Sequence, residues 1–360
     1  MKTDILIIPN DSLVLHVGER LELNQGWDGR HAPEVLLEII RNAYVASHCQ
    51  QGWDAYRQLC EGCPHAKSCV AKRVVGTARQ PFNDVELTLV AQLFARGVGD
   101  RLEPLFPAPD DLFADPGATD AVWRQPTYLE PLDSDATRSD LGDLDLLVPS
   151  SRNPRAKHMD GLLTRRGIRT WAERKLQRMS EAEHFLPWRL VLDIEQRQEP
   201  AGADGEQVWV THLRLKPGFA FLVTVETPDD APNWELPVNV PGPGGRTFLV
   251  QNAKFPRPSL DIKPKKRWRL SLLSPVVTKK TQWPDWVNAA DLNTKSPLPE
   301  GGKLTAIARR SVQHPDDLTG VSEHYEAFTG TLIPAGTTFF VEYEEPVSIA
   351  QSADILAGGS

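Results

Sequence analysis

The chain has 360 residues, 40% hydrophobic and 24% charged, which excludes a wholly disordered, collagen-like or coiled-coil protein and predicts two domains. A net charge of −8 excludes a protein that coats nucleic acid indiscriminately, so any such contact falls to local patches or occurs inside an assembly. No run approaches the ~18 apolar residues of a membrane helix. The opening MKTDILIIPND lacks the long apolar region of a secretory signal, so a cytoplasmic protein without membrane contact is expected.

In chain order, residues 3–9 and 12–17 read as strands and 33–47 as a helix, with Pro33 in its first turn and Leu36, Ile40, Ala43 and Ser47 on one face. A cysteine-rich segment occupies 49–69. A strand-like RVVG at 73–76 and a helix over 84–96 follow. Residues 100–146 hold twelve Asp/Glu against three Lys/Arg, with six prolines. They predict an irregular acidic insertion, either solvated or a docking surface for a basic partner. The sign reverses over 151–178, with nine Lys/Arg against two acids. Within it GIRTWAERKLQRM reads as a basic amphipathic helix with Ile168, Trp171 and Leu176 facing inward. Strand patterns at 189–196, 207–215, 219–226, 246–251, 267–274, 303–310 and 337–344 predict an α+β second half built of antiparallel strands. The last dozen residues read as a frayed tail.

All four cysteines of the chain, Cys49, Cys60, Cys63 and Cys69, lie in one 21-residue segment. Four thiolates can close a tetrahedral structural zinc shell, and a reducing compartment disfavours disulfides. A metal-free loop and an iron–sulfur cluster remain as alternatives, although the ten-residue first gap matches neither common ferredoxin spacing. Catalytic patterns are scarce: there is no phosphate loop, no G-x-S-x-G elbow and no H-E-x-x-H. Asp110-Asp111 and His314 with Asp316-Asp317 sit in proline-flanked loops, where turn and capping roles are expected. A basic run, Lys263, Lys265, Lys266, Arg267 and Arg269, surrounds Trp268, with Trp283 and Trp286 soon after. Two readings fit it equally: phosphate clamps with base-stacking aromatics, or a solvated strand edge with core tryptophans. Gly244, Gly245 and Arg246 form a loop between strands that either approaches RNA closely or simply turns a hairpin.

Several segments together, in order, resemble a known family. They are PNDSLVLHVGER at the start, APEVLLEIIRNA, LFPAPDDL at 105–112, GLLTRRGIRTW at 161–171, PGPGGRTFLV, LLSPVV followed by WPDW, and LIPAGTTFFVEY at 332–343. The set is similar to the third subunits of type III-B CRISPR Cmr effector complexes, which are RAMP (repeat-associated mysterious protein) subunits. The chain departs from that family at His16, where an arginine is usual, and at Glu38, where a glycine is usual; its cysteine cluster is an added feature.

The resemblance implies two ferredoxin-like (RRM-like) domains of α+β class with large loop insertions, one cysteine-rich. On that basis residues 1–155 form the first domain, with insertions at 49–69 and 100–146. Residues 156–348 form the second, and 349–360 the tail. It also implies a non-catalytic subunit that holds the 5′ repeat-derived handle of the guide RNA (crRNA) and bridges a large polymerase-type subunit to the backbone RAMP subunits. The RNA-binding candidates are then His16, Arg41, Arg165, Arg166, Gly244, Gly245, Arg246, Lys265, Lys266 and Arg267. Cys49, Cys60, Cys63 and Cys69 are the candidate zinc ligands. Two other readings are a RAMP-type metal-independent endoribonuclease, with His16, His158 or His314 as base, and a zinc-stabilised protein adaptor.

Overall fold

The computed structural model of the chain describes residues 1–18, 33–49, 51, 60, 62–76, 86–97, 102–114, 123–124, 126–131, 144, 147–149, 157–174, 179–180, 183–201, 206–228, 234, 236–240, 246–253, 263–278, 283–309, 331–350 and 355–359. It is a mixed α/β fold rich in strands. Two compact units divide it, neither continuous in sequence: Met1–Leu102, Leu192–Pro256 and Leu318–Phe328 form one, and Glu103–Val191, Arg257–Asp317 and Thr329–Ser360 the other. A single boundary near residue 155 would therefore pass through the second unit. Among the described residues no helix is long and apolar enough to cross a membrane.

The first unit is built on an antiparallel sheet with Lys2–Pro9 at its centre. That strand pairs with Phe219–Glu226 on one side and Arg246–Ala253 on the other. Thr88–Arg96 pairs outside Phe219–Glu226, and Leu236–Val240 outside Arg246–Ala253. Taking Lys2–Pro9, Thr88–Arg96, Phe219–Glu226 and Arg246–Ala253 in chain order, the spatial order is 4-1-3-2. The helix Pro33–His48 packs on the sheet through Leu36, Ile39, Ile40, Ala43 and Tyr44, all fully buried. Their spacing is that of one helical face, so amphipathic periodicity forms this element and burial holds it. Ser47, expected on that face, is exposed.

Two sequence expectations fail here. The segment expected as a helix over 84–96 is the strand Thr88–Arg96, and Ala91 to Ala95 are buried on both faces. A strand covered on both sides loses its two-residue alternation, so the sequence period cannot separate it from a helix. Conversely, RVVG lies in a short helix, Val70–Val75, which starts after an extended Cys69 and stops at Gly76 (φ +75°). Its Val74 and Val75 are fully buried, and tertiary burial outweighs the strand preference of β-branched residues. A separate three-stranded sheet, Leu192–Ala201, Glu206–Leu215 and Leu13–Gly18, carries a bulge between Thr211 and His212.

The second unit has its own antiparallel sheet of Lys303–Ala308, Thr338–Val347, Lys265–Leu272 and Ile355–Gly359. In chain order its strands again lie 4-1-3-2. One face carries Trp268, Leu270, Leu272, Leu304, Phe339, Val341 and Tyr343 into a core completed by Trp283, Trp286 and Leu298. The expected tail is no tail: Ile355–Gly359 is a paired strand, and Ile349 and Ile355 belong to that core. The described residues of the expected acidic insertion are mostly in strands or buried. Glu103–Pro107, Leu112–Ala114, Trp123–Arg124 and Pro126–Pro131 are strands, and Leu105, Phe106, Asp110, Asp111, Leu112 and Tyr128 are buried. Net acidity over a window does not report which of its acids face solvent.

The strand Gly161–Leu163 pairs with Phe185–Pro187 and with Glu103–Pro107, and then leads into the helix Arg165–Ala172. Thr164 caps that helix, accepting from the Gly167 N–H at 3.2 Å while its own N–H donates to the His184 carbonyl. Gly167 lies so close to residue 184 that a Cβ there would stand 2.0 Å from the His184 carbonyl oxygen. The obstacle is backbone and cannot rotate away. Gly167→Ala is therefore expected to cost about 1–3 kcal/mol by overpacking. Urea denaturation of the variant measures this, and an unchanged midpoint would count against the close approach.

Candidate nucleic-acid interface

The helix Arg165–Ala172 separates its residues sharply. Ile168, Trp171 and Ala172 are buried, whereas Arg165, Arg166 and Arg169 are exposed within one arc of the helix. Arg169 is an addition to the sequence candidates; its spacing from Arg165 was the available signal. Arg166 Nη1 lies 3.3 Å from the Glu183 carboxylate, both side chains well exposed. An exposed pair is worth only about 0–1 kcal/mol, so it yields readily to a phosphate. Beneath it, burial and then the Arg166 charge hold the His184 imidazole below its ordinary pKa. Arg189, in the 3-10 turn Trp188–Leu190, is exposed as well.

The basic run at 263–269 divides in two. Lys266 and Arg267 are exposed and Lys265 half-buried, while Trp268 and Arg269 are in the interior. Arg267 Nε donates to Glu342 at 3.1 Å, and the strand register sets Lys303 opposite the same glutamate. The exposed part is thus matched by an acid across the sheet. Trp268, Trp283 and Trp286 are core residues, as the second reading of that run expected, and offer no base-stacking platform; the strand itself is no edge, since Lys265–Leu272 lies between Thr338–Val347 and Ile355–Gly359.

Arg41 is 6% exposed, and its Nη2 donates to the Val75 carbonyl at 2.6 Å. It ties the helix Pro33–His48 to the end of Val70–Val75, which corrects its expected place on an RNA surface. His16 stands opposite Thr211 in its sheet, and Arg246 opposite Val240 where the hairpin opens. The side chains of His16 and Arg246, and the whole of Gly244 and Gly245, lie outside the described residues, as does His314. His16, Arg41 and Arg246 belong to the first unit; Arg165, Arg166, Lys265, Lys266 and Arg267 belong to the second.

The turn residues Asp110 and Asp111 prove to be central. Asp111 and Arg269 are both fully buried and form an ion pair, Nη1 to Oδ2, at 2.9 Å. The other Asp111 oxygen accepts from the Trp171 indole N–H at 2.8 Å. Arg269 Nη2 donates to the Trp171 carbonyl at 2.8 Å. The guanidinium lies over the Trp171 and Tyr128 rings, 4.7 and 5.2 Å from their centroids. Burial pulls the Arg269 pKa down, and the Asp111 carboxylate opposes that. The Tyr128 phenol is pushed up to about 12, by burial above all and with Asp111 adding to it, although Arg269 and Arg174 act the other way. Asp110 donates its N–H to the Gly336 carbonyl at 2.7 Å, and its carboxylate lies 3.3 Å from His158 Nε2.

A second polar constellation, absent from the sequence candidates, sits on the three-stranded sheet. Ser12 Oγ lies 3.0 Å from His212 Nδ1, and His212 Nε2 lies 2.9 Å from Glu199. Burial would raise the Glu199 pKa, but the hydrogen bond from Arg197 and the nearby His212 outweigh it, and the pKa falls below its ordinary value. A shallow pocket of about 100 Å³ opens beside them, lined by Ser12, Asp193, Glu195, Arg197, His212 and Arg214. Its basic groups are balanced: Arg197 pairs with Glu199, and Arg214 lies 3.8 Å from Asp11. Two hundred residues separate Ser12 from His212, so no local pattern announces the pair.

The four cysteines are all reduced. Cys49 follows the helix Pro33–His48, with its N–H on the Val45 carbonyl at 2.7 Å, and Cys69 precedes Val70–Val75. Cys60 is buried; burial, and then the charges of Cys69, Cys49 and Cys63, raise its thiol pKa. Among the described residues no group of three or more His, Cys, Asp or Glu is already spaced to hold a metal ion.

A protein-family model described as CRISPR-associated protein (Cas_Cmr3) matches residues 50–354. No curated protein matches the chain. Among solved structures, a chain in the cryo-EM structure of the type III-B Cmr-beta complex bound to cognate target RNA is similar over 94% of this chain and 86% of its own, at 12% identity and a TM-score of 0.39. A chain of the Csm3–Csm4 subcomplex of a type III-A CRISPR-Cas interference complex is similar over 96% of this chain and 98% of its own, at 12% identity and a TM-score of 0.35.

Two outcomes follow from the buried pair. Asp111→Asn leaves the Arg269 charge buried without its counter-ion and is expected to lower stability by about 3–5 kcal/mol; a denaturation midpoint within error of the parent would sink this. Because the folded chain keeps Tyr128 protonated to about pH 12, the unfolded chain releases that proton first as pH rises past its ordinary value of 10. Stability is then lost between pH 10 and 12, by about 3 kcal/mol in all. Tyr128→Phe should flatten that alkaline slope in urea titrations.

Proposed function

The chain belongs to the Cas_Cmr3 family of CRISPR-associated proteins, and on that premise we propose that it is a non-catalytic RNA-holding subunit of a type III CRISPR effector complex. It grips the 5′ repeat-derived handle of the guide RNA and bridges the large polymerase-type subunit to the backbone RAMP subunits. The observation that carries this reading is the family match over residues 50–354. The antiparallel 4-1-3-2 order of the first unit, with the helix Pro33–His48 between its first two strands, supports a ferredoxin-like domain, the architecture of RNA-binding sheets of the RRM type; the second unit repeats the strand order, without a helix among the described residues between Lys265 and Gly359. In the first unit a strand, Leu236–Val240, stands in the interval where such a fold carries its second helix.

Within the second unit the handle phosphates fall to Arg165, Arg166 and Arg169. The planar guanidinium fork suits phosphate oxygens, and the helix holds the three at fixed spacing. Replacing all three by Glu is expected to strip guide RNA from the purified complex. For single-stranded RNA, each lost phosphate contact lowers the slope of log K against log salt by about 0.7, or about 2 for three. Unchanged RNA content and an unchanged salt slope would refute the assignment.

The endoribonuclease reading draws on one observation, the Ser12–His212–Glu199 line beside a polar pocket. His212 is only 3% exposed, and a general base must reach the 2′-hydroxyl it deprotonates. Labelled repeat RNA incubated with the purified chain in EDTA should stay intact. Cleavage abolished by His212→Gln would reverse the preference.

A further inference from the structure

The described stretch that carries three of the four cysteines, Cys60 and Gly62 to Val70, is poor in buried apolar side chains. From Gly62 to Val70 every residue is exposed or half-exposed, and Cys60 is the buried anchor. Backbone turns shape it locally: Cys63 N–H donates to the Cys60 carbonyl at 3.2 Å, Ala66 N–H to Cys63 at 3.2 Å, and Ser68 N–H to His65 at 3.0 Å. Cys60 (φ +58°) and Gly62 (φ +72°) are both left-handed. For Cys60, a residue with a Cβ and no amide side chain, that conformation costs energy and needs something to hold it. A stretch so little buried gains from a covalent or metal staple.

The framework presents the thiols suitably for a staple. Cys49 and Cys69 sit at the facing ends of two helices that pack together, and Arg41 bonds the first helix to the carbonyl of Val75 in the second. The two inner cysteines lie on one tight turn. All four are thiols, not disulfides.

We propose that Cys49, Cys60, Cys63 and Cys69 together bind one Zn²⁺ as a structural site. The four thiols release four protons to solvent, and the resulting tetrathiolate shell carries a net charge of −2, which Lys72, whose charge reaches Cys60, partly offsets. The thiols are grouped but not yet at ligating spacing, so metal entry draws the Cys60–Cys63 turn and the two helix ends together. Four protein ligands leave no open coordination position, so the site is structural and not hydrolytic.

The test uses the full chain purified after expression in zinc-supplemented medium. Elemental analysis should find one zinc per chain, and the four thiols should resist a thiol reagent until a chelator is added. Chelator-stripped protein should take up one equivalent of Co²⁺ and show the thiolate charge-transfer bands of a tetrahedral site. Cys60→Ser with Cys63→Ser should lower bound metal at least about tenfold. If that variant fails to fold, Co²⁺ titration of the parent chain decides alone. Absence of stoichiometric metal, iron in place of zinc, two disulfides in the native chain, or cobalt without thiolate bands would each overturn the proposal. None of these outcomes depends on whether the chain holds RNA.

Discussion

The Asp111–Arg269 pair governs the second unit because neither charge is tolerable there alone. Removing both from water costs several kcal/mol per ion, and the pair persists only where geometry and extra hydrogen bonds compensate. The Trp171 indole supplies one of those bonds and the Trp171 carbonyl another, while two aromatic rings cover the guanidinium. Gly336 completes the arrangement. Its carbonyl receives the Asp110 N–H, its own N–H bonds Leu272, its φ is +91°, and a Cβ would stand 2.7 Å from the Ala108 carbonyl. Only glycine meets both the conformation and the contact.

Three of the segments that carry the resemblance meet around the Asp111–Arg269 pair. LFPAPDDL supplies Asp110 and Asp111, GIRTW supplies Trp171, the basic strand supplies Arg269, and PAGTT supplies Gly336 and Thr338. They are distant in sequence and meet in one buried hub. Their first role is to close the second unit. The same helix that buries Trp171 turns Arg165, Arg166 and Arg169 outward, so a folding constraint fixes the orientation of the arginine face.

The strand Lys303–Ala308, where buried residues alternate with more exposed ones, and the helix Pro33–His48, whose apolar residues recur at helical spacing, carry patterns that survive inspection of the sequence alone. Thr88–Arg96 does not, because both its faces are covered. The charged residues were harder to read for a related reason. Arg41 and Arg269 look like surface cations in the sequence, yet one donates to a backbone carbonyl and the other neutralises a buried aspartate. Nothing local distinguishes them from Arg165 or Lys266. Arg269 does alternate with Trp268 and Leu270, but alternation predicts a change of face, and here the opposite face is buried too. The Ser12–His212–Glu199 line and the partner of Asp111 depend on long-range register that one sequence does not display.

The overall charge of −8 and an RNA-holding role are compatible once distances are considered. At physiological ionic strength the screening length is about 8 Å, so an exposed phosphate responds to the groups beside it and little to the chain's total. Among the described residues Glu183 pairs with Arg166 at 3.3 Å, and Glu173 follows the helix end. Arg267 likewise pairs with Glu342, and the pocket arginines Arg197 and Arg214 have acidic neighbours of their own. Exposed acidic partners are thus common to Arg166 and Arg267, and what sets the arginine helix apart is geometry: three guanidinium groups exposed within one arc of a single helix.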